Sequence, residues 1–269
     1  MNAEDQVIRT LSRDLRFFPV KNSNPSKLSP DQIRQYNELG YVSGFRVFND
    51  RDVKKNRDSF DSILDEFRRS GKGSYDINRY EDRYAAIYDA ATAPAILDLI
   101  QDIIGPNIIC WATHYICKLP GDDMGVSWHQ DCSYWALSPS KTVTAWLAID
   151  DADRENGCMQ VIPGSHLHGH IAFKNSDEDE RNVLNQTIEH AEQFGKPVNV
   201  ELKAGEISLH SDLLVHGSQP NRSHRRRCGL TLRYCPPDVH AYLDWNKRAI
   251  ICRGADPQGH WGNIPRPRS

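Results

Sequence analysis

A mainly β fold, an antiparallel sandwich or barrel with helices packed outside it, is what this sequence predicts, and three observations carry that reading. Short β-rich runs crowd the chain from Asn107 onward: IICWATHYICKL, TVTAWLAID, CMQVIPGS, VNVEL, EISLHSDLLVHGSQ and CGLTLRYCP. Gly, Pro, Asn and Asp turns separate these runs, as connected short strands require. Helical periodicity gathers before Asn107, and strands that follow an initial helical region point to helices bracing a β core.

The elements read in order as follows. Residues 1–27 are polar and irregular and read as an N-terminal extension, with SNPSKLSP a loop. Ser29 is placed as an N-cap with Pro30 at the first helical position, opening a short helix to Glu38 that Gly40 stops. YVSGFRVF then reads as a strand. A second helix is expected from about Asp52 to Arg69, where Phe60, Ile63, Leu64 and Phe67 recur at helical spacing. A third runs from about Ala93 to Ile104 and ends at Gly105-Pro106. Residues 28–106 are thus a helical bracing region and 107–237 the barrel core. Within that core, 175–193 is highly charged and reads as an exposed insertion. The Pro- and Gly-rich residues 238–269 read as a tail wrapping over the barrel with a strand at most.

Length and composition agree with one globular domain over 1–269. Single β-barrels reach 269 residues, and a chain of about 300 residues buries roughly three quarters of its unfolded surface. A net charge of −3 offers no basic footprint for nucleic acid. No run approaches 18 consecutive apolar residues, so no membrane span is expected. The opening MNAEDQVIRTLSRDLRF lacks the apolar core of a signal peptide. The 7 cysteines are scattered singly with no CxxC, which argues against a disulfide framework. A cytoplasmic, reduced enzyme or binding protein, monomeric or homodimeric and free of nucleic-acid or membrane partners, is the expected class.

The chemistry concentrates in Val126-Ser127-Trp128-His129-Gln130-Asp131. His129 and Asp131 stand two residues apart, so a β-strand would present both on one face. One imidazole and one carboxylate side by side form two corners of a metal site. His216, at the end of the apolar run Leu213-Leu214-Val215, is the candidate third ligand. Two His and one carboxylate on one face of a β-barrel is the facial triad of non-haem Fe(II) oxygenases, leaving sites for a bidentate 2-oxoacid and for O₂. Arg227 follows His216 by eleven residues, and a guanidinium on a neighbouring strand can grip the distal carboxylate of 2-oxoglutarate bidentately. Ser218, on the same strand face as His216, can add a hydroxyl.

These residues sit in segments that resemble the phytanoyl-CoA dioxygenase family of Fe(II)/2-oxoglutarate oxygenases: SWHQDCSYWALSP, TVTAWLAIDDADRENGCMQVIPGSH, LKAGEISLHSDLLVHGSQPNRS and RRRCGLTLRYCP, with SPDQIRQYNELGYVSGFRVF as an opening. The resemblance covers most of residues 28–237. It implies a double-stranded β-helix, a jelly-roll or cupin-like barrel with helices bracing one sheet. It also implies Fe(II), 2-oxoglutarate as co-substrate and O₂. His129, Asp131 and His216 match the iron ligands, and Arg227 with Ser218 the co-substrate clamp. Trp146 matches a position lining the co-substrate pocket, and His114, by a looser alignment, another contact. Asn156-Gly157-Cys158 and Pro163-Gly164-Ser165-His166 match structural turns of the family. His166, His168 and His170 alternate, so a strand would align them, yet the PGSH turn intervenes. Halogenases of a related branch carry Ala or Gly where Asp131 stands here, which favours hydroxylation.

The run SWHQD-xx-YW-x-LSP resembles bacterial members that act on small free metabolites more than the acyl-CoA branch. A small polar or zwitterionic substrate follows, such as an aminoalkylphosphonate or a related amine, with Tyr134, Trp135, Asn78 and Arg79 lining its pocket and Trp261 closing over it. One alternative is a tailoring oxygenase of a larger natural product. Another is a cupin-like metal-binding protein without oxygenase activity, although such proteins usually show three His and a Glu and need no Arg227.

Overall fold

The computed structural model describes residues 3–268. Its α-helices are α1 (Ala3–Thr10), α2 (Pro30–Leu39), α3 (Asp50–Arg69), α4 (Ala85–Ala91) and α5 (Pro94–Ile104). In chain order the strands are β1 (Tyr41–Arg46), β2 (Ile108–Lys118), β3 (Val126–His129), β4 (Leu137–Ser138), β5 (Val143–Ala148), β6 (Met159–Val161) and β7 (Lys174–Asn175). They continue as β8 (Gln186–Thr187), β9 (Val198–Val200), β10 (Glu206–Ser211), β11 (His216–Ser218), β12 (Arg227–Cys235), β13 (His240–Ala241) and β14 (Ile250–Arg253).

Local chemistry sets the first elements. Ser29 caps α2 by accepting from the Gln32 amide, while the Gln32 side chain accepts from the Ser29 amide, a reciprocal capping box with Pro30 at the first turn. Gly40 ends the helix at φ 82°, a left-handed conformation that glycine adopts without penalty. A Cβ there would lie 2.7 Å from His166 Nδ1, so space as well as backbone angle requires glycine. Phe60, Ile63, Leu64 and Phe67 form one buried stripe along α3.

Two antiparallel sheets face each other without closing into a barrel. The larger has the order β1-β10-β5-β12-β2-β14 and the smaller β3-β11-β6-β9. The non-consecutive order is the jelly-roll arrangement, which brings strands distant in sequence together. Alternation on β12 divides the molecule into layers. Cys228, Leu230, Leu232 and Tyr234 join the core under the helices, together with Phe60, Ile96 and Ile100. Arg227, Thr231 and Arg233, on the other face, line the space between the sheets. Ile207 and Leu209 of β10 likewise pack under the helices, and His210 lines the inner space.

Four expectations need correction. Residues 1–27 are not uniformly irregular: α1 forms there, Ile8 is buried, and Arg13 donates to the carbonyls of Cys132 and Trp135. The short helix α4, which sequence reading passed over, packs Ile87 and Ala91 into the core. Residues 175–193 are not simply exposed. The β7–β8 ribbon orders them, Ile188 and Ala191 are buried, and Val183 and Leu184 reach the inner cavity. The tail carries two strands, of which β14 extends the larger sheet beside β2. No helix of the described residues is long and apolar enough to cross a membrane.

Candidate active site

The three candidate ligands meet across β3 and β11. His216 opens β11 directly opposite His129, the last residue of β3, with ring centroids 4.1 Å apart. Asp131 is not on the strand, contrary to the simple alternation argument: it begins a 3₁₀ turn over Asp131–Ser133. The two side chains still share a face because Gln130 keeps an extended backbone (φ −114°, ψ 133°) before the turn. Gln130 is fully buried, and its amide donates to the carbonyls of Gly169 and Leu213 and accepts from the Ile171 amide. The residue between two ligands is thereby pinned to the loop preceding the third.

The donor set fits a divalent metal. One ligand atom from each of His129, Asp131 and His216 lies within 4.8 Å of the others. His129 Nδ1 bonds the Ser127 carbonyl at 2.8 Å and His216 Nδ1 bonds the Leu214 carbonyl at 2.9 Å. A carbonyl only accepts, so each Nδ1 carries the proton and a neutral ring keeps its lone pair on Nε2. Burial lowers the pKa of both imidazoles, which favours that neutral form. Burial pushes the Asp131 carboxyl upward, but His210, His216, Arg233 and His129 outweigh it and hold the group well below its usual range. The site therefore offers two neutral nitrogens and one carboxylate.

All three ligands line a cavity of about 390 Å³, the size of a small-molecule site. One part of it holds Arg227, which is 2 % exposed. Arg227 donates to the Ile116 carbonyl at 3.2 Å and to Ser218 Oγ at 3.4 Å, and lies 5.6 Å from the Trp146 ring. Its Nε has no partner, and no carboxylate among the described residues lies in ion-pair range. Lys118, also buried, donates to the Gln219 carbonyl at 2.5 Å, and burial followed by Arg227 pushes its pKa down to about 7. A buried guanidinium without a counter-charge is costly, and the distal carboxylate of a dicarboxylic 2-oxoacid supplies one. This orphaned group is what the co-substrate fits.

Trp146 keeps its place because β12 has glycine at 229. A Cβ on Gly229 would collide with the Trp146 ring across the sheet. His114 lines the cavity opposite Thr231, with Nε2 donating to the Tyr75 carbonyl at 3.0 Å. Burial, then Arg233, pushes its pKa down to about 4. Asn78, Arg79, Tyr134 and Trp135 also line the cavity. Trp261 does not: it is buried behind the cavity wall and donates to the Val239 carbonyl. His166 and His168 lie in a 3₁₀ turn, not a strand, and His166 bonds the Asn37 carbonyl, so the three alternating histidines do not converge.

Sequence reading missed two residues. His210 of β10 faces the cavity with neither ring nitrogen in a hydrogen bond, its Nε2 lying 3.7 Å from Asp131 Oδ2 and its ring 4.9 Å from that of His216. Arg233 lies over Trp135 at 5.1 Å and Trp111 at 5.8 Å. The signal for both is period-two placement, since each has the inward parity of its strand.

Comparison with known proteins agrees with this geometry. The profile of the family described as phytanoyl-CoA dioxygenase (PhyH) matches residues 36–229. The peroxisomal phytanoyl-CoA dioxygenase of Bos taurus is 26% identical over 245 residues, covering 81% of this chain and 71% of its own. A probable alpha-ketoglutarate-dependent hypophosphite dioxygenase of Stutzerimonas stutzeri is 26% identical over 238 residues, covering 79% and 80%. Among solved structures, the non-heme monooxygenase ThoJ in its apo form superposes with TM-score 0.74 at 23% identity, covering 88% of each chain.

Proposed function

The chain belongs to the phytanoyl-CoA dioxygenase family of Fe(II)/2-oxoglutarate-dependent oxygenases, and from that premise we propose that it hydroxylates an unactivated C–H bond of a small polar metabolite. Aminoalkylphosphonates and related amines are the first substrates to consider. The single observation behind the oxygenase reading is a His129–Asp131–His216 donor set in the same cavity as an unpaired, buried Arg227.

Bound at these residues, Fe(II) and 2-oxoglutarate supply O₂ activation and C–H oxidation, with succinate and CO₂ as co-products. The protein's own contribution is placement. His129 and His216 present Nε2 because the backbone holds their Nδ1 protons. Asp131 remains a carboxylate, and Thr144 Oγ1 donates to it at 3.2 Å. Arg227 and Ser218 orient the distal carboxylate of the co-substrate, and Trp146 closes the wall beside it. Tyr134, Trp135, Asn78 and Arg79 surround the remaining space, where the target carbon is positioned. A carboxylate stands at Asp131, where the resemblance gives halogenases Ala or Gly, which supports hydroxylation. The modest cavity supports a small metabolite over a large natural product.

Anaerobic titration with Fe(II) and then 2-oxoglutarate tests this reading. The visible metal-to-ligand charge-transfer band should form, and should be lost in Arg227→Ala and His216→Ala at the same concentrations. Iron binding without a band would return the chain to the cupin-like alternative. Succinate release on adding candidate amines and phosphonates then identifies the substrate.

A further inference from the structure

The cavity has cationic groups besides Arg227. Arg233 sits six residues further along the same inward face of β12, against Trp111 and Trp135. Burial lowers its pKa, its Nε is buried without a partner, and no ion pair or hydrogen bond holds its guanidinium among the described residues. Arg79 lines the same cavity, lies 5.5 Å from the Trp245 ring, and also has an unpartnered buried Nε. Its backbone is at φ 61°, a conformation disfavoured for a residue with a long side chain. Hydrogen bonds at both ends fix it there: the Arg79 amide donates to the Thr113 carbonyl at 2.8 Å, and Arg248 donates to the Arg79 carbonyl at 2.7 Å. Strain held in this way at a cavity wall is a mark of a functional side chain.

Charge counting points the same way. The formally charged residues lining the cavity are Arg79, Arg227 and Arg233 against Asp131 and Glu4, an excess of one positive charge. Fe(II) adds two and 2-oxoglutarate removes two, so the loaded cavity keeps that excess. Glu81 and Asp82 are further carboxylates near Arg79, but neither lines the cavity: Glu81 accepts from Thr113 Oγ1 at 2.7 Å, Asp82 pairs with Arg248 at 2.6 Å, and neither forms an ion pair within 4.0 Å of Arg79 or Arg233. Desolvated positive charge calls for an anion.

We propose that Arg233, supported by Arg79, is the specificity-determining anchor for an oxyanion group on the primary substrate, a carboxylate or a phosphonate. The Trp111 and Trp135 rings flank the guanidinium at 5.8 and 5.1 Å without taking its N–H groups, which leaves its fork for bidentate oxyanion contacts. The tryptophans meanwhile offer apolar walls to the substrate body. This inference deepens the oxygenase reading and rests on it for the metal and the co-substrate.

The test is calorimetric titration of the anaerobic Fe(II)/2-oxoglutarate protein with phenylacetate, benzylphosphonate, phenylacetamide and benzylamine. The two anions should bind at least about tenfold tighter than the neutral amide or the amine, as a charge-assisted contact implies. That preference should collapse in Arg233→Gln and fall to an intermediate value in Arg233→Lys, which keeps the charge but loses the fork. The tighter of the two anions identifies the head group. Amide or amine binding as tight as the anions, no anion binding at all, or an unchanged preference in Arg233→Gln overturns the proposal. The charge-transfer band is recorded on every sample. Its failure in the unmodified chain removes the oxygenase reading itself, whereas a normal band without anion preference removes only the Arg233 anchor. Should Arg233→Gln lose the band, Arg233→Lys decides, and a full preference there overturns the proposal.

Discussion

Gly229 carries a consequence far larger than its size. It lies between Arg227 and Thr231 on the inward face of β12, and the Trp146 ring occupies the space its missing side chain leaves. Gly229→Ala should push that ring away and with it one wall around Arg227. Overpacking of this kind costs about 1–3 kcal/mol. We expect a lower melting temperature and a weaker affinity for 2-oxoglutarate, read by thermal denaturation and by the charge-transfer titration. Co-substrate affinity equal to that of the unmodified chain would show that Trp146 has no part in shaping the pocket. At this scale the sequence was legible where spacing was local. His129 and Asp131 announce themselves two residues apart, and Arg227 and Ser218 by their distance from His216. His210 and Arg233 were not, because inward parity marks half the residues of any strand and only the opposing sheet shows which of them share a cavity with the candidate ligands.

Between elements, the clamp of α5 on the N-terminal segment is the clearest dependence. Asp102 of α5 is buried, and its carboxylate accepts from the amides of Ser26, Lys27 and Leu28 and from the Ser26 hydroxyl. Three successive backbone donors are thus satisfied by one side chain, and Leu28 is fixed against the core. Asp102→Ala leaves those amides without a partner, at a cost of roughly 1–3 kcal/mol. The expected result is a lower denaturation midpoint together with faster proteolysis between residues 12 and 29. Cleavage kinetics unchanged by the substitution would mean that other contacts hold the segment. The helices that could be read in advance, α2, α3 and α5, have caps, a stop residue or a long apolar stripe. α1 and α4 have 8 and 7 residues, too short for periodicity to stand out, and owe their stability to tertiary burial. The β7–β8 ribbon escaped notice for the opposite reason: its charges read as solvent-exposed, while the few apolar residues that dock it are spread thinly among them.

For the whole molecule, Asp212 links folding to pH. It lies fully within the connection between β10 and β11, where Ser140 Oγ donates to it at 2.7 Å, and its backbone carbonyl accepts from the Cys132 amide in the turn that carries Asp131. Burial raises its pKa to about 7 from an ordinary 3.8. The folded chain therefore holds a proton that the unfolded chain releases, so stability is greatest below about pH 4 for this group and declines as pH rises to about 7. The loss is bounded at about 4 kcal/mol, at 1.36 kcal/mol per pH unit. Denaturation of the metal-free protein at about pH 5 and about pH 8 should show this decline in the unmodified chain and a smaller one in Asp212→Asn. Equal slopes would assign the dependence to other groups.

β12 also works as a ruler. Arg227 and Arg233 stand six residues apart on one face, at most about 20 Å between Cα atoms at the usual rise of about 3.3 Å per residue. If one end grips the co-substrate and the other the head group of the substrate, the reacting carbon is counted off from that head group. A homologous series would then be oxidised at one constant position from the anionic end, whatever the length of the chain beyond it.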